Sequence, residues 1–113
     1  MKYSKEQLEA MSDFDLNKLI SHYQLKHDNS HTWFSFSSRG EVFSVNEKTN
    51  ESALVDYCNK PSDIMPLVIE NKINSLVTVN GWMVFSEHDR PLESECENLL
   101  RAYAIVYILI KQS

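Results

Sequence analysis

The middle of the chain, Asp56-Tyr57-Cys58-Asn59-Lys60-Pro61-Ser62-Asp63 followed by Pro66 and the apolar run to Ile73, most constrains the fold. Pro61 biases Lys60 towards extended backbone, so no helix is expected to run through this point. Ser62 or Asp63 can cap a new helix by accepting from a free N–H two or three residues on, with Asp63 the better candidate. That start places Pro66 in the first helical turn, where its missing N–H costs nothing. Ile64, Leu67 and Val68 then form a broad apolar face with Met65 and Ile69 beside them, predicting a helix covered over much of its circumference. Strand-like segments lie on both sides of it.

Before it, Ser4 with Gln7 gives a capping-box pattern, and Ser12 before Asp13 and Asp15 gives a second start. Leu16, Leu19, Ile20 and Tyr23 share a helical face, predicting a firm helix over Asp13–Tyr23. His31–Ser37 alternates as a strand, with Phe34 and Phe36 on one side and Trp33, Ser35 and Ser37 on the other. Ser38-Arg39-Gly40 is a turn, and Glu41–Asn46 is the return strand. Glu47–Ser52 is a polar loop, and Ala53–Tyr57 leads into the central stretch.

After the central helix, Ser75–Phe85 is the strongest hairpin signal. Asn80-Gly81 suits a type I′ turn and would pair Val79 with Trp82 and Val77 with Val84. The last helix is predicted from Glu95 to Lys111, capped by Ser94, with Glu95 and Glu97 at its positive end. It is apolar almost all round from Leu99 to Ile110, which marks a helix central to the core or at a subunit contact. The expected fold is a single α+β domain over 1–113, in the order α-β-β-α-β-β-α, with a mostly antiparallel sheet against helices.

The 113 residues suit one domain, and two Trp, five Tyr and five Phe supply large core side chains. A net charge of −5 lacks the basic footprint of a direct nucleic-acid binder. Cys58 and Cys96 have no CxxC or finger spacing, and His22, His27 and His31 with Asp28 lack a further ligand at metal spacing. No metal, cofactor or disulfide is therefore expected. Cys58 as nucleophile would require a base and an oxyanion site that no motif supplies. Met1–Met11 is polar and charged, and Ala102–Ile110 is about half the length that spans a bilayer. The expectation is a soluble cytoplasmic protein with no membrane contact.

Three segments resemble the NinX-like proteins of lambdoid phages and prophages, a family without assigned function. They are Ser12-Asp13-Phe14-Asp15-Leu16-Asn17-Lys18-Leu19, the central Asp56–Asp63 stretch with Pro66–Ile73, and Asn98-Leu99-Leu100-Arg101-Ala102 with its apolar continuation. Together they span most of the chain. Leu99 stands where relatives often carry proline, and the Asn80-Gly81 turn is tighter than the usual loop. The resemblance implies a phage or prophage accessory protein made in the bacterial host's cytoplasm, and it implies no reaction.

The leading functional expectation is a non-enzymatic module that binds a host or phage protein, with Trp33 and Trp82 as exposed-aromatic candidates and a homodimer possible. The alternative is a small-molecule-binding protein or small enzyme with a pocket near Tyr57, Asn59 and Arg101. A nucleic-acid accessory role is suggested only by the phage setting. Asp56, Tyr57, Cys58, Asn59 and Arg101 are the candidate binding residues, because they are polar or amphipathic and a loop stiffened by Pro61 loses little entropy on binding. The competing structural reading has Asp56 and Asn59 satisfying the turn, and Arg101 pairing with Glu97 one helical turn away.

Overall fold

A computed structural model describes residues 2–27, 32–79, 81–86 and 93–112. Its elements in order are α1 (Lys5–Glu9), α2 (Asp13–His27), β1 (Thr32–Phe36), β2 (Val42–Asn46), β3 (Ser52–Val55), α3 (Pro61–Glu70), β4 (Ile73–Thr78), β5 (Gly81–Ser86), β6 (Glu93–Cys96) and α4 (Leu99–Gln112). The strands form two separate three-stranded antiparallel sheets, β1-β2-β3 and β4-β5-β6, instead of one sheet. The α+β class is as expected. The order gains a short first helix and one strand in each half.

α4 is the centre of the molecule. Ala102 to Ile108 and Ile110 are all buried, which is possible only when neighbours cover every side of the helix. The sheet β4-β5-β6 lies along one side through Ile73 and Val84, while α2 and α3 pack on others. α2 in turn carries the sheet β1-β2-β3, whose Phe34 and Val55 reach the same core. Polar contacts from Tyr103, Tyr107 and Gln112 help to fix α4 among these layers. Tyr103 shares a 2.9 Å hydrogen bond with Ser75 of β4, Gln24 of α2 donates to the Tyr107 hydroxyl at 2.6 Å, and Gln112 holds the backbone of Tyr3 through both its N–H and C=O.

The helix starts follow simple chemistry. The Ser4–Gln7 capping box is formed in both directions, and Ser12 accepts from the Asp15 N–H at 3.1 Å. α2 runs past Tyr23 to His27, because Gln24, Leu25 and Lys26 are good helix formers. α3 begins earlier than expected, at Pro61, whose fixed φ suits the first helical position. Its cap residue is Lys60, without a side-chain cap bond, and Pro66 consequently falls inside the helix. Asp63 does not cap α3 but accepts the backbone N–H of Asp56 at 2.9 Å.

The largest correction concerns residues 93–98. Ser94 and Glu95 do not open the last helix. They belong to β6, where Ser94 is buried opposite Val84. Asn98 caps α4 instead, its Oδ1 accepting from the N–H groups of Leu100 and Arg101 at 3.0 and 3.2 Å. The polar stretch Ser94–Glu97 satisfies a helix-start pattern locally, but the open edge of β5 offers ladder bonds that the local pattern does not reveal. β3 arises in the same way, since the Ala53–Tyr57 segment pairs with β2 over Ser52–Val55.

The second hairpin also has a different register. Val77 faces Trp82, and Ser75 faces Val84, so the expected Val79–Trp82 pairing is displaced by two residues. Asn80 of the expected turn lies outside the described residues, as do His31, Asp28 and Pro91. A two-residue shift preserves which side of the strand each side chain takes. It also carries Val77 and Val79 beyond the reach of α4, where they are 73% and 101% exposed. The first turn matches expectation: Gly40 has φ +82°, and Phe14 lies 3.9 Å from where a Cβ would stand.

Substituting Tyr103→Asp is expected to cost about 3–5 kcal/mol, because it places a charge in the layer between α4 and β4 and removes the bond to Ser75. Val77→Lys, at the exposed tip of the same sheet, should stay within about 0.5 kcal/mol of the parent. Denaturant melts of the two variants test which side chains the sheet buries.

Candidate functional site

Among the described residues, functional residue types gather at a polar junction where the chain crosses α4 and at a cleft between α2 and β1. The junction contains the residues singled out from sequence. Arg101, in the first turn of α4, sends its guanidinium to α2, where Nη1 meets Asp13 Oδ1 at 2.6 Å. Nη2 donates to the carbonyl of Glu9 at 3.1 Å and also to that of Met11. Arg101 therefore closes the connection between α1 and α2 and does not pair with Glu97. The other carboxylate oxygen of Asp13 accepts from Asn59 Nδ2 at 3.1 Å. Asn59 also donates to both carboxylate oxygens of Asp56, at 3.1 and 3.0 Å.

Asn17, on the buried side of α2, completes the junction. Its Nδ2 donates to Asp56 Oδ1 and its Oδ1 accepts the Tyr57 N–H, both at 3.1 Å. The turn after β3 is thus held from below by one side-chain amide and from the side by Asp63. Lys60 closes it, with its N–H on the Asp56 carbonyl at 2.9 Å. The structure brings Asp56, Asn59 and Arg101 into one network through Asp13, and it buries Tyr57 and Cys58 beneath them. The bonds that Arg101, Asn59 and Asn17 donate in this junction all go to groups of the protein itself.

Burial sets the chemistry of the two core members. It pushes the Cys58 thiol up to about 12, with the nearby Asp13 carboxylate adding to the effect and Arg101 opposing it. Burial likewise raises Tyr57, opposed by its hydrogen bond to Ser21. Cys58 carries a free thiol that is neutral near pH 7, the reverse of the activated thiolate a nucleophile needs. Among the described residues, no three His, Cys, Asp or Glu side chains converge as metal ligands. No described helix is long and apolar enough to cross a membrane.

The cleft has a different character. It encloses about 570 Å³ between α2 and β1, within the size range of ligand and peptide side-chain sites. It is lined by Leu19 and Leu25 of α2, Phe34 and Phe36 of β1, Tyr3 and Met11, together with the polar Asp15, Lys18, Ser21 and His22 of α2. Phe36 is 52% exposed and Leu25 44%. The Phe36 ring stands edge-on to Phe14 at 6.3 Å, and Lys18 lies 4.5 Å from the Phe14 ring centre while pairing with Asp15 at 3.3 Å. None of Asp56, Tyr57, Cys58, Asn59 or Arg101 lines this cleft.

Sequence reasoning missed Asp13 and Asn17 as the residues that join the junction. Their signal was present: Asn17 and Ser21 are polar residues one turn apart beside Leu16 and Ile20, on what becomes the buried side of α2. It also missed the cleft. Phe34 and Phe36 were correctly placed on one side of β1, but Leu25 lay beyond the expected end of the helix that faces them.

Asp13→Ala is expected to lower stability by about 1–3 kcal/mol, since it leaves a guanidinium that is mostly shielded from water with only neutral carbonyl acceptors. The double variant Asp13→Ala/Arg101→Ala should lose less than the sum of the single losses, and a double-mutant cycle measures the difference. A second expectation follows from the thiol. Below its ordinary value of 9.0, Cys58 is neutral both folded and unfolded. From there up to about 12 only the unfolded chain releases the proton, so stability falls as pH rises through this window. Cys58→Ala should flatten that part of the stability–pH profile, measured by denaturant melts.

No family model matches the chain, and neither a characterised protein nor a solved structure is detectably similar to it. Its own geometry is therefore the guide to function.

Proposed function

We propose that this chain is a non-enzymatic protein-binding module and that the α2–β1 cleft holds its partner. The carrying observation is the cleft itself, a concavity of about 570 Å³ with half-exposed Phe36 and Leu25 at its rim. Apolar side chains left open around a concave surface are what partner anchors fill. Trp33, 46% exposed on the opposite side of β1, adds an aromatic to the same edge of the molecule. The mild net charge of −5 favours a protein partner over direct nucleic-acid contact.

The alternative, a ligand pocket or small active site at Tyr57, Asn59 and Arg101, has less support. Its polar groups donate to one another, and its thiol and phenol are held neutral. In this reading those residues are the frame that holds α2 in place. The resemblance to NinX-like proteins supplies the setting we propose: an accessory protein of a phage or prophage, acting in the host cytoplasm on a host or phage protein.

The test is affinity capture from phage-infected bacterial lysate using the parent chain, Leu25→Asp, and Val77→Lys as a control on the distant sheet. A stoichiometric protein should be retained by the parent and by Val77→Lys. Leu25→Asp should weaken that retention more than tenfold, because a charge enters an apolar contact. Equal retention by all three baits would remove the cleft from the binding surface.

A further inference from the structure

We infer that the α2–β1 cleft is a strand-addition site, which takes an extended segment of a partner protein as a fourth strand beside β1. The segment carries apolar side chains at every second position and a net positive charge. This rests on the preceding reading of the cleft as the protein-binding surface and specifies what enters it.

Among the described residues β1 is the terminal strand of its sheet, with β2 and β3 on its other side. The hydrogen-bond alternation identifies which of its backbone groups face outward. Ser37 donates to the Glu41 carbonyl at 2.9 Å, so the pairs two and four residues further, Ser35–Phe43 and Trp33–Val45, exchange ladder bonds. The other side of β2 agrees. Asn46 donates to Glu51 at 2.9 Å, which assigns Ser44 and Val42 to β3 and leaves Phe43 and Val45 for β1. The backbone N–H and C=O groups of Phe34 and Phe36 therefore point to the outer edge.

Phe34 and Phe36 are also the two β1 residues whose side chains line the cleft, and no β2 residue lines it. The groove thus runs along the free edge of β1, with α2 as its far wall. A strand pairing with that edge would place alternate side chains on the same side of the sheet as Phe34 and Phe36, at intervals of about 7 Å. Those side chains would enter the space between β1 and α2, against Leu19 and Leu25. This is the combination that strand-addition domains use: edge hydrogen bonds for affinity and an adjoining pocket for alternate side chains.

The two edges of this sheet differ in protection. On β3, the Lys60 ammonium lies 3.4 Å from the Leu54 carbonyl and covers the outward-facing backbone with a charge. β1 reads Thr-Trp-Phe-Ser-Phe, with neither charge nor proline, the usual devices that keep an edge from pairing. The groove's own charges, Asp15 and Lys18, pair with each other at 3.3 Å, so the preference for a cationic occupant is a long-range one: the chain's net charge of −5 steers a positive segment and disfavours a second copy of this chain.

The test uses acetylated peptides of about six residues, the usual strand length, with Val, Ile, Leu or Phe at alternate positions and Lys between them. Matched peptides carry Glu in place of Lys. Amide hydrogen exchange of the protein is followed by NMR. The Lys series should bind more tightly than the Glu series, and exchange at Phe34 and Phe36 should slow by about tenfold or more while Trp33 and Ser35 change little. N-methylation of the peptide amides that face β1 should weaken binding about tenfold, and methylation of the intervening amides should not. Binding that ignores N-methylation, protection of Phe34 and Phe36 on concentrating the protein alone, or failure of every peptide would each overturn strand addition. The broader reading fails separately. If Leu25→Asp abolishes partner capture while Phe34 and Phe36 still exchange freely in the parent complex, the cleft binds protein without adding a strand. If Leu25→Asp leaves capture intact, both fall.

Discussion

A helix that is apolar on nearly every side has no stable position at a surface, and α4 imposes that constraint on the whole molecule. Each of its large buried side chains is worth about 1.5–3 kcal/mol when removed from water, so the chain gains by surrounding it. One sheet alone covers only one side. The others require α2 and α3, and α2 then exposes a second surface that the β1-β2-β3 sheet occupies. Two small sheets on different helices follow from this need, where a single larger sheet would leave much of α4 bare. The polar atoms of Tyr103 and Tyr107 reach partners on Ser75 and Gln24, so burying these long side chains leaves their hydroxyls satisfied.

The junction around Asp13 solves a related problem. Four pieces of chain meet there: the end of α1, the start of α2, the turn after β3 and the first turn of α4. Each brings backbone groups that a helix or sheet does not pair. Arg101 reaches two carbonyls and a carboxylate with one planar fork, which a lysine could not do with the same geometry. Asn59 and Asn17 each bridge two elements with a single amide. The arrangement explains why such polar residues sit beside apolar helices without forming an open site. Their capacity is used in joining the frame against which the cleft is built.

The cleft is a consequence of how the two halves attach. α2 uses one side to cover α4 and another to carry the first sheet, and Phe36 and Leu25 stay half open beside the cleft between them. The same geometry sets β1 at the sheet edge, away from the charge that Lys60 places on β3. Among the described residues, a groove with a mostly apolar β1 wall and an edge without charge or proline thus coincide along one strand, while Lys60 places a charge on the opposite edge.

Much of this was determined by sequence alone. Local chemistry is sufficient where the partner is nearby: the Ser4–Gln7 box, the Ser12 start, the Gly40 turn, the alternation of Phe34 with Phe36, and the helix after Pro61 all depend on residues within a few positions. The apolar circumference of α4 also announced its central place. Tertiary structure decided what depends on distant partners. Ser94–Glu97 looks like a helix start until the free edge of β5 takes residues 93–96 as a strand, and Ala53–Val55 is only a connecting segment until β2 pairs with it. The hairpin register moved by two residues because Ile73 and Ser75 are fixed by the core and by Tyr103, which outweighs the local preference of the turn. Arg101 has an acceptor one turn away in Glu97, yet it crosses to Asp13 because only packing α1 and α2 over α4 brings two carbonyls and a carboxylate within reach of one guanidinium.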